Sequence, residues 1–216
     1  GQRCWNVKAL FRAILEGMKK CKKAGKSPVS MGIDTWAVDF VLLDKENKML
    51  GDAVGYRDSR TAGMDEKVYE IIPEEKLYER TGIQKQIFNT IYQLMAVKSN
   101  NPEILEHAET MLMIPEYFNY LLTGEKASEY TNATTTQLVS PETKDWDYEL
   151  IEMLGYPKQI FQKIKKPGTV LGNLTKEIQK EVGFDCEVVL PATHDTGSAV
   201  MAVPTNEDNT IYISSV

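Results

Sequence analysis

The chain has 216 residues, of which 42% are hydrophobic and 26% charged, and its formal net charge is −6. This composition is typical of a globular protein with a sizeable core, and it argues against nucleic acid or an anionic membrane surface as a partner. No run approaches the roughly 20 apolar residues of a membrane span, and no signal peptide is visible. The three cysteines, Cys4, Cys21 and Cys186, lack metal-ligand spacing and favour a reducing compartment, so we expect a cytoplasmic protein without a metal site.

The first part of the chain predicts one helix followed by two strands. Asn6 is the expected N-cap of a helix that ends at Gly25, with Cys21 on its apolar, buried face. Strands are predicted at 29–33 and 37–43. A polar turn after the second strand leads to Met49-Leu50 and predicts a hairpin.

The middle of the chain reads as mostly helical, and strands return towards its end. Helices are expected from about residue 62, over 74–80 and 91–98, after Pro115 as far as Gly124, and over 146–154, 157–164 and 175–182. A Thr/Asn-rich loop is expected at 130–137, and strands at 187–190 and 210–215. These elements predict an α/β core that carries a helical insertion at approximately 62–165.

The segment around His194 and Asp195 is the strongest candidate for a catalytic site. It lies between a predicted strand and a predicted helix, where a carboxylate is stabilised in its ionised form by the helix dipole and free backbone N–H groups. An ionised carboxylate can act as a general base, although an N-cap aspartate without a catalytic role fits the local sequence equally well. His194 could donate to a substrate oxygen or be a structural histidine.

Two further segments suggest sugar recognition. Trp36 stands with Asp34, Thr35 and Asp39, and aromatic rings stack on sugars while neighbouring acids accept from their hydroxyls; a core tryptophan is the alternative. The run Arg57-Asp58-Ser59-Arg60 offers a guanidinium–carboxylate network for a polyol, or an ordinary surface ion cluster. Glycine-rich phosphate loops of the GxxxxGK[ST] and GxGxxG types are absent.

Taken together, these segments resemble the FGGY family of carbohydrate kinases, and in particular its branch that acts on L-rhamnulose. The matching stretches follow the family's order: MGIDTWAVDFVLLD (31–44), YRDSRT (56–61), FNTIYQL (88–94), LLTG (121–124), EYTNATTTQL (129–138) and THDT (193–196). They cover nearly the whole chain.

The resemblance implies a ribonuclease-H-like domain of the actin-like ATPase superfamily. It implies transfer of the γ-phosphoryl group of ATP to the 1-hydroxyl of L-rhamnulose or a related ketose, with Mg²⁺. Asp195 matches the family's catalytic base, and the implied sugar-binding residues are Ala37, His194, Asp195 and Thr196, together with Trp36 and Arg57. The branch usually has glycine where this chain has Ala37, so the extra methyl group is expected to trim the pocket or shift its preference.

The ends of the chain depart from the family pattern. The first β-hairpin, with its phosphate- and metal-binding Asp-x-Gly motif, and the second domain, with most of the nucleotide site, are expected to be missing. Residues 1–216 are thus expected to form part of the N-terminal domain, to hold no nucleotide or metal ligands, and to be inactive alone. Exposed sheet edges are expected to favour self-association. A kinase for another ketose or polyol and a non-catalytic sugar-binding module stay open as alternatives.

Overall fold

The computed structural model describes residues 1–207 and 209–213, which form a mixed α/β domain. The helices are α1 (Val7–Lys23), α2 (Met64–Tyr69), α3 (Glu74–Thr81), α4 (Thr90–Asn100), α5 (Pro102–Glu106), α6 (Ile114–Thr123), α7 (Tyr130–Thr134), α8 (Tyr148–Met153), α9 (Lys176–Val182) and α10 (Asp195–Met201). Within the described part of the chain, every helix is too short or too polar to cross a membrane.

The strands are short and pair in several small sheets. They are β1 (Cys4–Trp5), β2 (Ser30–Met31), β3 (Phe40–Leu43), β4 (Ala53–Val54), β5 (Thr110–Met113), β6 (Ser128–Glu129), β7 (Val139–Ser140), β8 (Asp145–Trp146), β9 (Ile164–Lys165), β10 (Val170–Asn173) and β11 (Glu187–Val189). The pairs are β1–β4, β3–β5, β6–β9 and β7–β8, and a three-stranded sheet has the order β10-β11-β2.

Helix α1 forms where the sequence predicts it. The Asn6 side chain accepts a hydrogen bond from the backbone N–H of Ala9 at 3.0 Å, which satisfies one of the free donors at the helix start. Leu15 and Met18 are buried against α9 and β11. Cys21, predicted to be buried, is exposed, since Met18 is the last buried residue of α1 and Cys21 lies among the lysines of its last turn.

The sheet β10-β11-β2 positions the candidate site. Strands β2 and β11 run parallel, with Ser30 opposite Glu187 and Met31 opposite Val188. The carboxyl ends of parallel strands meet at the same edge of a sheet, so the segments that follow β2 and β11 are brought together there. Gly32 permits this close approach, since a Cβ atom at residue 32 would lie 2.9 Å from the carbonyl oxygen of Val189.

The second sheet lies in the core. Strand β3 pairs antiparallel with β5, with Val41 opposite Leu112, and all four residues of each strand are buried. The hairpin predicted after β3 is confirmed by a bridge between Leu43 and Met49. The strand predicted at 37–43 begins only at Phe40, because Val38 has a positive φ of 63° that no extended strand accommodates.

Several predicted helices are confirmed. They are α3, α4 and α6 in the middle region, and α9 in the last part of the chain. The helix predicted at 157–164 is wrong, because a 3-10 turn over Lys158–Ile160 leads directly into β9. Trp146, predicted to open a helix, lies in β8, where its indole N–H donates to the carbonyl of Gln162.

The predicted insertion at 62–165 includes α2–α8 together with strands β5–β9, and its limits as a separate unit stay a prediction. The loop predicted at 130–137 contains the short helix α7. In the region predicted as a strand at 210–215, residues 210–213 adopt no strand, and 214 and 215 lie outside the described residues.

Candidate functional site

The two chain segments singled out from the sequence meet at the end of the parallel sheet. Thr35 forms a parallel bridge with His194. The backbone N–H of Thr35 donates to the carbonyl of Thr193 at 3.0 Å, and that of Asp195 donates to the carbonyl of Thr35 at 2.9 Å. The loop with Trp36 and Ala37 therefore lies beside the turn with His194 and Asp195.

Asp195 is the first residue of α10, and its side chain is 57% exposed. One carboxylate oxygen, Oδ1, accepts from the backbone N–H of Thr196 at 2.6 Å and from the Thr196 hydroxyl at 3.3 Å. Among the described residues, no hydrogen bond reaches Oδ2 of Asp195. Oδ2 is therefore available to accept a proton from a hydroxyl placed within hydrogen-bond distance, which is what a general base does.

His194 precedes Asp195 and is half-buried. Its Nε2 atom lies 3.7 Å from Oδ1 of Asp195. Burial lowers the pKa of the imidazole, and the carboxylates of Asp195 and Glu129 act in the opposite direction. The lowered pKa favours a neutral ring at pH 7, which presents one N–H donor and one acceptor nitrogen.

Glu129 holds this turn in place. Its fully buried carboxylate accepts from the backbone N–H and the hydroxyl of Thr193, at 2.9 and 3.0 Å. It also accepts from the backbone N–H groups of Thr131 and Asn132 at the start of α7 and from the Thr131 hydroxyl. One side chain thus ties α7 to the turn before Asp195. The sequence placed Glu129 in a matching motif, but only the fold reveals its partners.

Glu116 supports Glu129 from behind. This fully buried side chain accepts from the backbone N–H of Glu129 and from that of Met113, both at 2.9 Å. Burial raises the pKa of Glu116 to about 8, against the effect of these hydrogen bonds. The two buried glutamates form a polar path from α6 to the candidate site.

Trp36 is anchored from within the protein. Its indole N–H donates to Oδ2 of Asp39 at 3.0 Å, and Asp39 is only 1% exposed. The expectation that the acids beside Trp36 receive sugar hydroxyls therefore does not fit Asp39, whose oxygens are already engaged by protein donors. Asp34, by contrast, is exposed.

Ala37 is half-buried and opens a tight turn. Its carbonyl accepts from the backbone N–H of Asp39 at 2.8 Å, across Val38 with its positive φ of 63°. This i to i+2 bond with a positive φ describes a γ-turn, a strained conformation for a β-branched residue. The carbonyl of Val38 accepts from the hydroxyl of Thr90 at 2.7 Å and from Nε2 of Gln93 at 3.1 Å, so α4 holds the turn.

The predicted network of Arg57, Asp58 and Arg60 takes a different form. Arg57 is exposed, and its guanidinium lies over the ring of Tyr56 at 5.1 Å from the centroid. The Asp58 carboxylate accepts from two backbone N–H groups, those of Arg3 and Arg60, rather than from a guanidinium. In the part of the chain that the structure describes, no hydrogen bond joins Arg57 to His194 or Asp195, so the fold leaves its sugar-binding role a prediction.

Metal-ligating side chains do not cluster in the described part of the chain. Among residues 1–207 and 209–213, no group of three or more His, Cys, Asp or Glu side chains is arranged to hold a metal ion. The carboxylates of Asp195, Glu129 and Asp39 serve separate hydrogen-bond networks.

Residues 1–202 match the model of the FGGY family of carbohydrate kinases, N-terminal domain. The chain is 62% identical over 215 residues to a protein named rhamnulokinase from Halalkalibacterium halodurans, covering 100% of this chain and 46% of that protein. It is 57% identical over 212 residues to a rhamnulokinase from Oceanobacillus iheyensis, covering 98% and 45%. The chain therefore spans about half the length of the curated relatives it matches.

Solved structures of sugar kinases share the fold. A gluconate kinase and a ligand-bound xylulose kinase, both from Lactobacillus acidophilus, superpose with TM-scores of 0.82 and 0.81. Each is 22% identical in sequence, and each match covers 88% of this chain and 39% of the solved chain.

Proposed function

We propose, from the premise that this chain belongs to the FGGY family of carbohydrate kinases, that it is the sugar-binding part of a rhamnulokinase. The predicted α/β fold is shared with the solved sugar kinases, and the actin-like ATPase superfamily with its ribonuclease-H-like core is the assignment that we propose for it. The observation that carries the functional proposal is the 62% identity, along the whole chain, to a protein named rhamnulokinase.

In the proposed reaction, Asp195 is the general base. The free Oδ2 of Asp195 takes the proton from the 1-hydroxyl of L-rhamnulose as that oxygen bonds to the γ-phosphorus of ATP. The bond between the γ-phosphorus and the bridging oxygen breaks, and ADP leaves. Proton removal by a positioned base contributes about 10²–10⁴-fold to such a rate.

The sugar would lie between the two loops that the Thr35–His194 bridge holds together. His194 and Thr196 flank the base and offer hydrogen bonds to sugar hydroxyls, while Trp36 and Ala37 offer apolar contact. Arg57, which is exposed, is proposed to contact the sugar from the outer side of the site. The methyl group of Ala37 lies at the start of a rigid γ-turn, so it would restrict the site without moving the backbone.

ATP and Mg²⁺ are proposed as co-substrate and cofactor, because phosphoryl transfer depends on charge stabilisation by a metal ion and phosphate-binding groups. The described side chains do not fit a metal centre. We therefore assign no magnesium ligand and no nucleotide contact to this chain, and the proposed step takes ATP only as the phosphoryl donor. The cytoplasm is the proposed location, which the three free cysteines support.

The test is thermal unfolding of this chain with L-rhamnulose, L-fructose, D-xylulose and glycerol in turn. A ligand at 100 times its Kd adds about 2.7 kcal/mol of stability, and each kcal/mol moves the midpoint by roughly 2–4 °C at this size. A shift with L-rhamnulose supports the proposal. A shift with another sugar alone points to a kinase for that ketose or polyol.

A second measurement separates catalysis from binding alone. The full-length kinase is assayed for ADP release with each sugar. Sugar binding without phosphorylation would point to a non-catalytic sugar-binding module.

A further inference from the structure

Asp39 is a buried acid with more partners than any role in the proposed reaction needs. Its Oδ2 atom accepts from the indole N–H of Trp5 at 2.6 Å, from the indole N–H of Trp36 at 3.0 Å and from the backbone N–H of Tyr56 at 3.1 Å. Its Oδ1 atom accepts from Nε2 of Gln93 at 3.1 Å. These bonds offset the cost of burying the carboxylate, which raises its pKa.

The shared oxygen brings two tryptophans together. The ring centroids of Trp5 and Trp36 lie 4.2 Å apart, with an angle of 35° between the planes. The two residues lie 31 positions apart in the chain, Trp5 in β1 and Trp36 in the loop after β2. Both residues are half-buried and pack on one side against the core around Val41. Their polar N–H groups point inward to Asp39, so the exposed part of the pair is apolar.

The backbone register places Trp36, one member of this pair, next to the proposed base. Thr35 and His194 form a parallel bridge, and Trp36 and Asp195 are the residues that follow them. The backbone N–H of Asp195 donates to the carbonyl of Thr35, which fixes the separation of the two segments. The same carboxylate also fixes Tyr56, the residue before Arg57.

We propose that Asp39 is a positioning residue that locks Trp5 and Trp36 into an aromatic wall of the sugar site, and that this wall selects 6-deoxy ketoses. The inference rests on the proposed function. Indole faces pack well against C–H groups and methyl groups. Because both indole N–H groups are bound to Asp39, the wall offers no hydrogen-bond partner to a hydroxyl pressed against it. L-rhamnulose carries a methyl group at C6, where L-fructose carries a hydroxymethyl group.

A desolvated hydroxyl without a partner disfavours L-fructose, whereas a methyl group gains contact. Selection of this kind in an apolar site reaches about 10–200-fold. Asp39→Asn keeps the size of the side chain but removes the charge and turns one acceptor into a donor that faces Gln93. It therefore loosens the indole pair and leaves Asp195 unchanged.

The experiment measures kcat and KM of the full-length kinase for L-rhamnulose, L-fructose and ATP in the wild type, Asp39→Asn and Trp5→Phe. Asp52→Asn, a change at an exposed carboxylate, is the matched control. For Asp39→Asn we expect the KM for L-rhamnulose to rise about tenfold, its preference over L-fructose to fall about as far, and kcat and the KM for ATP to stay within about twofold. Tryptophan emission should shift to longer wavelength.

Trp5→Phe keeps an aromatic ring but loses its hydrogen bond to Asp39. It should therefore raise the KM for L-rhamnulose and lower the preference over L-fructose, each by less than Asp39→Asn does. If Asp39→Asn does not fold, the Trp5→Phe variant alone tests the inference. A folded variant with unchanged sugar KM and preference overturns the inference and leaves the proposed function intact. Equal loss for both sugars and ATP also overturns it, since it indicates a structural role alone. A wild type that phosphorylates neither ketose overturns both.

Discussion

Glu129 and Thr193 are joined twice, through the backbone N–H and through the hydroxyl of the threonine, both donated to one buried carboxylate oxygen. The two residues lie 64 positions apart in the chain. This contact fixes the turn that carries the proposed base. Because these two bonds restrain both the backbone and the side chain of Thr193, we expect the position of the turn with Asp195 to depend on Glu129.

Replacing Glu129 with glutamine should destabilise the domain by about 2–4 kcal/mol. Both oxygens of the native carboxylate accept hydrogen bonds, and in the variant an NH₂ group takes the place of one of them and faces N–H or O–H donors. Urea denaturation measures the loss. Glu109→Gln, at an exposed glutamate, is the control and should change stability by less than about 0.5 kcal/mol. Equal small changes in both variants would contradict the positioning role of Glu129.

Asp195→Asn in the full-length kinase should reduce turnover by about 10²–10⁴-fold while the KM for the sugar changes little, since the amide keeps the shape but accepts no proton. Steady-state kinetics with L-rhamnulose checks this. Glu177→Gln, an exposed change in the first turn of α9, should keep normal turnover. Near-normal turnover in Asp195→Asn would refute the assignment of the base.

Gly32→Ala should destabilise the domain by about 1–3 kcal/mol, because the new Cβ would lie 2.9 Å from the carbonyl oxygen of Val189 and 3.0 Å from Cδ of Pro191. Gly17→Ala is the matched control within α1, where nothing lies within 4 Å of the new atom. It should stabilise by about 0.5–1 kcal/mol, since alanine favours a helix interior. Unfolding midpoints that move in the same direction would contradict the packing described for Gly32.

The stability of the domain should depend on pH through Glu116, whose pKa burial raises from 4.5 to about 8. Between these values the unfolded chain has released a proton that the folded chain retains, so this group lowers the free energy of unfolding as pH rises. The slope is at most about 1.4 kcal/mol per pH unit. Denaturation of the wild type and Glu116→Gln from pH 5 to 9 should give curves whose difference falls up to about pH 8 and is level above it. Parallel curves would show that Glu116 does not titrate in this window.

Local signals in the sequence predicted the elements that local forces determine. Asn6 caps α1 and Gly124 ends α6 as expected, because caps act over a few residues. The strand predicted to start at residue 37 starts only at Phe40. The γ-turn at Val38 delays it, and this turn is held by side chains of α4 that lie more than fifty residues further along the chain. Cys21 is exposed because burial along α1 ends at Met18, and the helical period of apolar residues does not show where burial along a helix ends.

In the candidate site, too, the sequence indicates residues with local signals and does not indicate those that act through distant contacts. His194, Asp195 and Trp36 are proposed from the sequence because their residue types suit the chemistry and their segments match a family. The sequence does not suggest supporting roles for Glu129 and Trp5, because their hydrogen bonds join them to partners distant in sequence, Thr193 and Asp39. Burial and hydrogen-bond partners, rather than residue type, identify such supporting side chains.

The γ-turn at Val38 also bears on how this family could change its substrates. A strained backbone held by Thr90 and Gln93 keeps its course whatever side chain precedes it. We therefore expect residue 37 to accept a smaller or larger side chain at little cost to folding, with each exchange reshaping the proposed sugar site by a few atoms. Adaptation to a new ketose would then require single substitutions rather than the rebuilding of a loop.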